Sequence, residues 1–111
     1  MTQISAIAYS YLIGESNSIM TAFKKFNCTN LPRENGRSIE RKFEVKLQKV
    51  PVKFTSTYGH KGEYFRYTLL KTRENLPGMK KMATYIVDTI GTPKTQAEQS
   101  MMNKLKPLLQ K

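Results

Sequence analysis

The chain is poor in the residues that catalysis and metal binding draw on. Among its 111 residues there is one cysteine, Cys28, and one histidine, His60. A lone cysteine forbids an intrachain disulfide. One Cys and one His cannot supply the ligands of a usual zinc site, and no nucleophile–base pair stands out. A glycine-rich phosphate loop is missing too, because GHKG at 59–62 lacks the Walker spacing. Long hydrophobic runs are absent. The apolar opening ISAIAYSYLI is too short to span a bilayer and has no basic segment before it. No internal repeat or low-complexity tract stands out. These shortages disfavour an enzyme and imply no cofactor, no metal and no membrane. The expectation is a cytoplasmic, non-catalytic protein.

Acidic residues are also scarce. Eight Asp and Glu face 19 Lys and Arg, a formal charge of +11. The excess is concentrated: residues 31–81 hold 13 basic and 5 acidic side chains. A polyanion is the simplest partner for such a field, with solubility alone as the plainer alternative. Hydrophobic residues make up 39% of the chain, which is not the composition of a disordered one. The length suits one domain with a modest core.

The stretch SIMTAFKKFNCTNLPRENGRSIER, residues 18–41, reads as two short helices joined by a tight turn. Ser18 can cap the first. Ile19, Ala22, Phe23 and Phe26 then make an apolar face. Asn27 tolerates the left-handed conformation that would end the helix, and Cys28 is small enough to tuck beneath the turn. Asn30 offers the second cap, with Leu31 and Pro32 opening the next helix. That is a helix-turn-helix. Leu31, Asn35, Ser38 or Ile39, and the stem of Lys42, should face inward. Arg33, Gly36, Arg37, Glu40 and Arg41 should face outward. Arg33, Arg37 and Arg41 fall four apart and form one stripe, suited to base edges and phosphates in a major groove. A solvated helix face is the plainer alternative. Gly36 weakens a helix and would let a sugar–phosphate chain or another helix come close.

Residues 3–13 predict a helix before this unit, ended by Gly14, which would complete a three-helix core. After it the period changes to alternation. Phe43, Val45 and Leu47 should point one way, and Glu44, Lys46 and Gln48 the other. Pro51 is expected to interrupt the strand. Residues 52–57 and 64–70 are β-prone. The region 43–70 therefore reads as a hairpin with a long, basic excursion at 51–62. Lys53, His60, Lys61 and Arg66 are its candidate charged contacts, against the alternative of an ordinary solvated loop.

These residues resemble a family. FKKFNCTNLPRENGRSIERKFEVKL is similar to the small winged helix-turn-helix proteins of mobile elements and prophages, notably of Bacteroides-type bacteria. The likeness rests on Phe26, Cys28, Leu31, Arg33, Ile39, Phe43 and Val45, then Tyr64, Arg66 and Tyr67, and covers about residues 5–90. Asn27 stands where that pattern has glycine, and Asn35 where it has an apolar residue. The resemblance implies an α+β, mainly helical fold: a three-helix core, a β-hairpin wing and C-terminal helices. The wing in such proteins touches the DNA backbone or minor groove.

Beyond Leu70, Pro77-Gly78 punctuates a polar connector. Residues 79–90 predict an amphipathic helix along Met79, Met82, Ile86 and Ile90. Thr92 or Thr95 can cap a last helix, which Pro107 should kink or end. Its stripe, Met101, Leu105, Leu108 and Leu109, must meet either the chain's own core or a second copy, so a homodimer through 95–109 is expected. The division is a winged domain at 1–75 and a helical extension at 76–111. The functional expectation is double-stranded DNA binding, through Asn30, Arg33, Arg37 and Arg41 on the second helix and Lys53, His60, Lys61 and Arg66 on the wing. It would serve transcription control or the movement of a genetic element. The alternative is a protein-interaction module with an acidic partner.

Overall fold

The computed structural model describes residues 2–109. The protein is α+β and mainly helical, with one two-stranded antiparallel hairpin. Its order is α1 (Gln3–Leu12), α2 (Ile19–Phe26), α3 (31–43), β1 (Leu47–Thr55), β2 (Lys61–Leu69), α4 (Leu76–Ile90) and α5 (Gln96–Leu109). This order is compatible with a winged-helix-like layout.

Local chemistry sets most boundaries. The Thr2 hydroxyl accepts from Ser5 N–H at the start of α1. Ser18 and Thr21 cap α2 reciprocally, each side chain serving the other's backbone N–H. Asn27 ends α2 in the left-handed region, φ 54°, and Cys28 is buried under the turn. The Asn30 side chain accepts from Arg33 N–H and opens α3.

Helix α3 is not a uniform α-helix. An α-helical turn, Leu31–Glu34, is followed by a π-helical segment, Asn35–Glu40, and a final turn, Arg41–Phe43. The sequence explains what this wider winding achieves. Leu31, Asn35, Ile39 and Phe43 are all buried, and they are spaced by four. On an α-helix residues four apart drift about 40° round the axis, so three such steps would carry Phe43 about 120° from Leu31. The π segment takes up that drift and keeps all four facing the core. The helix therefore runs to Phe43, past the expected end at 41. Glu44 reverses the chain at φ 58°, and β1 begins at Leu47 rather than at 43. The expected alternation in burial holds nonetheless, with Phe43, Val45 and Leu47 inside and Glu44, Lys46 and Gln48 outside.

Pro51 does not interrupt the strand. The ladder runs unbroken from Leu47↔Leu69 to Thr55↔Lys61, with Pro51 opposite Phe65. Its tolerance follows from the register. Tyr67 gives its N–H and its carbonyl to Asn17, at 2.7 and 2.9 Å. Odd-numbered residues of β2 thus bond away from β1, and their cross-strand partners do the same. Pro51, opposite Phe65, turns its missing N–H to the free edge, where proline is harmless. Nor is there a long excursion at 51–62: five residues, 56–60, close the hairpin, with Ser56 and His60 bonded through backbone and the Ser56 hydroxyl.

One core unites the helices with the hairpin base. Ile7, Ala8 and Tyr11 of α1 meet Leu31, Ile39, Phe43, Leu47, Leu69 and, from α4, Met79, Met82, Ala83 and Ile86. Helix α4 starts at Leu76, so Pro77 and Gly78 lie in its first turn instead of before it. A Cβ on Gly78 would collide with the Val45 side chain and the Phe43 carbonyl, so glycine is what lets α4 lie against the end of α3. Asn75, buried just before it, accepts from Lys46 N–H and donates to the carbonyls of Lys46 and Leu70, tying the base of the hairpin together. Thr95 caps α5, which continues through Pro107 to Leu109. Leu105 of α5 is 1% exposed in this same core, with Leu108 packed beside it. Of the tail's apolar stripe, Leu105 is thus covered within the chain, Met101 and Leu108 are half-buried, and Leu109 is 40% exposed. No helix of the described residues is long and apolar enough to cross a membrane.

Candidate nucleic-acid interface

The turn between α2 and α3 sets the angle at which α3 leaves the core, and the core then decides which side of α3 is free. With Leu31, Asn35, Ile39 and Phe43 inward, Arg33, Arg37 and Arg41 are left exposed. They too are spaced by four, so the π winding that aligns the buried row also keeps this row from spiralling round the helix. Arg33 lies 3.4 Å from Glu34, whose second oxygen accepts the Ser38 hydroxyl at 2.7 Å. Arg37 and Arg41 form no ion pair among the described residues, so their guanidinium groups are unopposed. Asn30 is exposed with its carbonyl oxygen engaged in capping, which leaves its amide N–H groups for an outside acceptor. Apart from its chain neighbours and the backbone of its own helix, Gly36 has no atom of the described residues within 4 Å of where a Cβ would sit. The space beside it is open, and no helix of the chain uses it.

Glu40 departs from the outward set. It is half-buried, and its carboxylate accepts Leu47 N–H at 3.2 Å, joining α3 to the first residue of β1. Its charge, after burial itself, pushes the Tyr67 hydroxyl above its ordinary range. Asn35 keeps the inward place that the spacing assigned to it, and its oxygen accepts the Tyr11 hydroxyl at 2.8 Å. Burial drives the Tyr11 pKa well up, so the hydroxyl stays a neutral donor. Asn17, whose amide donates to Ser10 Oγ, belongs to the same buried polar patch. Asn17 Oδ1 and Asn35 Nδ2 have no partner in it.

The hairpin divides its candidate residues. Side chains alternate across a strand, and cross-strand partners share a face. Lys53 and Lys61 therefore lie on one face, together with Lys49, which spacing had not singled out; its ammonium sits 4.1 Å from the centre of the Phe65 ring. Arg66 lies on the other face, with Val50, Val52, Phe54 and Tyr64, and lines a trough shared with α2. The four wing residues thus do not make one contact surface. His60 is exposed in the hairpin loop beside Tyr58, which is almost wholly exposed. The Phe54 ring covers Gly62 across the ladder and lies 6.0 Å from the Tyr64 ring.

The largest departure concerns α2. Of its expected apolar face only Ala22 is buried; Phe26 is half-buried, and Ile19 and Phe23 are 53% and 54% exposed. Met20, 66% exposed, extends the same patch. Spacing alone could not reveal this, because it reports an apolar stripe without saying whether anything lies against it. No group of three or more His, Cys, Asp or Glu side chains among the described residues is placed to hold a metal. Comparison of the chain with protein-family models, with curated proteins and with solved structures finds no match.

Proposed function

We propose that the protein binds double-stranded DNA as a winged helix-turn-helix, with α3 in the major groove and the hairpin as the wing. The observation that carries this reading is the row of exposed arginines, Arg33, Arg37 and Arg41, held in line on the second helix of a helix-turn-helix. Arginine's planar fork can bond two acceptors of a guanine edge or a phosphate at once. Three further features support it. The chain carries a formal charge of +11. The isolated Asn17–Tyr67 bridge ties the link between the first two helices to the hairpin. Open space beside Gly36 would admit a sugar–phosphate chain. Lys49, Lys53 and Lys61, on one face of the wing, would meet phosphates without reading sequence. Arg66, on the opposite face, is not part of this contact. The role is recognition without catalysis, in transcription control or in the movement of a genetic element.

Arg37→Ala tests it by fluorescence anisotropy at fixed salt. A loss of about 1–3 kcal/mol of affinity, with relaxed preference at one base pair, is expected of a bidentate base contact. Unchanged affinity and unchanged preference would remove Arg37 from the reading surface. The rival reading, that the positive charge serves an acidic protein instead, predicts no preference among duplexes at all.

A further inference from the structure

The hairpin has two free edges, and they are not alike. On the β1 edge the outward-bonding residues are Leu47, Lys49, Pro51, Lys53 and Thr55. Glu40 already takes Leu47 N–H, Pro51 has none to offer, and two lysines flank it. Proline and lysine are what natural sheets use to keep another strand from adding to an edge. The β2 edge is blunted only at its base, where Asn17 bonds Tyr67. Asn17 makes a single bridge there and no more, because Ser18 caps α2 and turns the backbone away. By the same alternation, Lys61, Glu63 and Phe65 direct their N–H and C=O groups along the rest of that edge, and no backbone bond of the described residues uses them.

Beside this half-edge runs a trough of about 800 Å³, lined chiefly by Ile19, Met20 and Phe23 of α2 and by Phe54, Glu63, Tyr64 and Arg66 of the hairpin. Ile19, Met20 and Phe23 are the apolar side chains that α2 fails to bury. A contiguous exposed apolar patch next to unpaired strand edges is the arrangement that receives an extended peptide. Charge selects the occupant. The opposite hairpin face bears Lys49, Lys53 and Lys61 against Glu63 alone, and a second copy of the chain would bring a further +11.

We propose that the β2 edge and the exposed face of α2 together dock an extended segment of an acidic partner protein, added as a strand beyond Asn17. Alternate side chains of that segment are apolar and enter the trough over Ile19, Met20 and Phe23. The intervening ones are acidic and lie on the opposite face next to Lys61, with Lys53 one strand further in, beyond Glu63. The proposal does not depend on base reading by α3, although Lys61 is also one of the wing lysines assigned to phosphates.

The test is a titration of the full chain, without DNA, with a synthetic peptide of alternating valine and glutamate, followed by amide exchange. Slowed exchange at Lys61, Glu63 and Phe65, with Gly62, Tyr64 and Arg66 unchanged, is the expected signature, because only the odd-numbered amides face the open edge. Phe23→Asp, at an exposed position, should leave the fold intact and weaken the peptide about tenfold or more. Three results would overturn the proposal. One is binding that a scrambled peptide matches. Another is no slowing at any of the three amides at millimolar peptide. The third is protection of the same amides in the free protein together with a dimer in light scattering, which would give the edge to a second copy.

Discussion

Tyr11 and Asn35 carry the clearest lesson at the scale of single residues. A buried asparagine in an apolar row looks like a fault in the pattern, and the sequence shows the fault without its remedy. The remedy is a hydroxyl 24 residues away on α1, aimed at Asn35 Oδ1 from 2.8 Å. No local rule finds such a pair, because it exists only once α1 lies across α3. The two side chains should behave as a unit. Tyr11→Phe strips the donor and leaves a buried carbonyl oxygen unpaired, at a cost of about 1–3 kcal/mol. Adding Asn35→Leu removes the orphaned group and should recover most of that loss, since exchanging both partners for apolar groups of similar shape is nearly neutral. Urea denaturation of the two variants measures this. A double variant less stable than Tyr11→Phe would show that Asn35 serves something other than Tyr11. Asn27, Cys28 and the Ser18 and Asn30 caps are legible in the sequence, because each acts through its own few neighbours.

Among the elements, α3 is the one whose detail the sequence hides. Its arginines, its N-terminal cap and the inward Leu31, Asn35 and Ile39 can be read from spacing. Lys42, expected inward by its stem, is exposed, and Phe43 takes the inward place. The π segment cannot be read that way, because a period of four is close enough to 3.6 to pass for an α-helix over three turns. Gly36, with open space around it, is the residue best placed to be the extra one. Its deletion should let α3 run as a regular α-helix. Leu31, Asn35, Ile39 and Phe43 would then fall at steps of four, three and four, an α-helical pattern that still faces the core. The deletion variant should unfold cooperatively, with helical content by circular dichroism close to that of the parent. Loss of cooperative unfolding would mean that the π winding is required by the fold. The hairpin is legible as strands and misleading at Pro51, because a proline is judged by which edge its nitrogen faces, and only the ladder register says that.

For the molecule as a whole, α4 and α5 lie on the same core as α1 and α3. By sequence a helical extension is set apart after residue 75; in the structure Met79, Met82 and Ile86 of that stretch are as buried as anything in α1. An amphipathic stripe announces that a helix needs cover and leaves open which surface supplies it. Leu105→Ala should therefore destabilise the whole protein by about 2–5 kcal/mol in one transition, as burial in a shared core requires. A thermal melt showing no change, or a separate early transition for α5, would detach that helix from the core.

The charge is likewise a property of the whole, and it bears on the central proposal through salt. Duplex DNA binding through phosphates releases counterions, so the logarithm of affinity falls linearly with the logarithm of salt, by about 0.9 for each phosphate neutralised. Lys53→Ala with Lys61→Ala should flatten that slope by about one for each phosphate left without its lysine, while weakening all duplexes alike. The most direct measurement is this salt series on a selected duplex and a random one, for the parent chain and for Arg33→Ala/Arg37→Ala/Arg41→Ala. The account predicts a steep linear slope for the parent, tighter binding of the selected duplex, and loss of that preference in the triple variant. A triple variant that keeps both slope and preference would show that α3 does not read DNA.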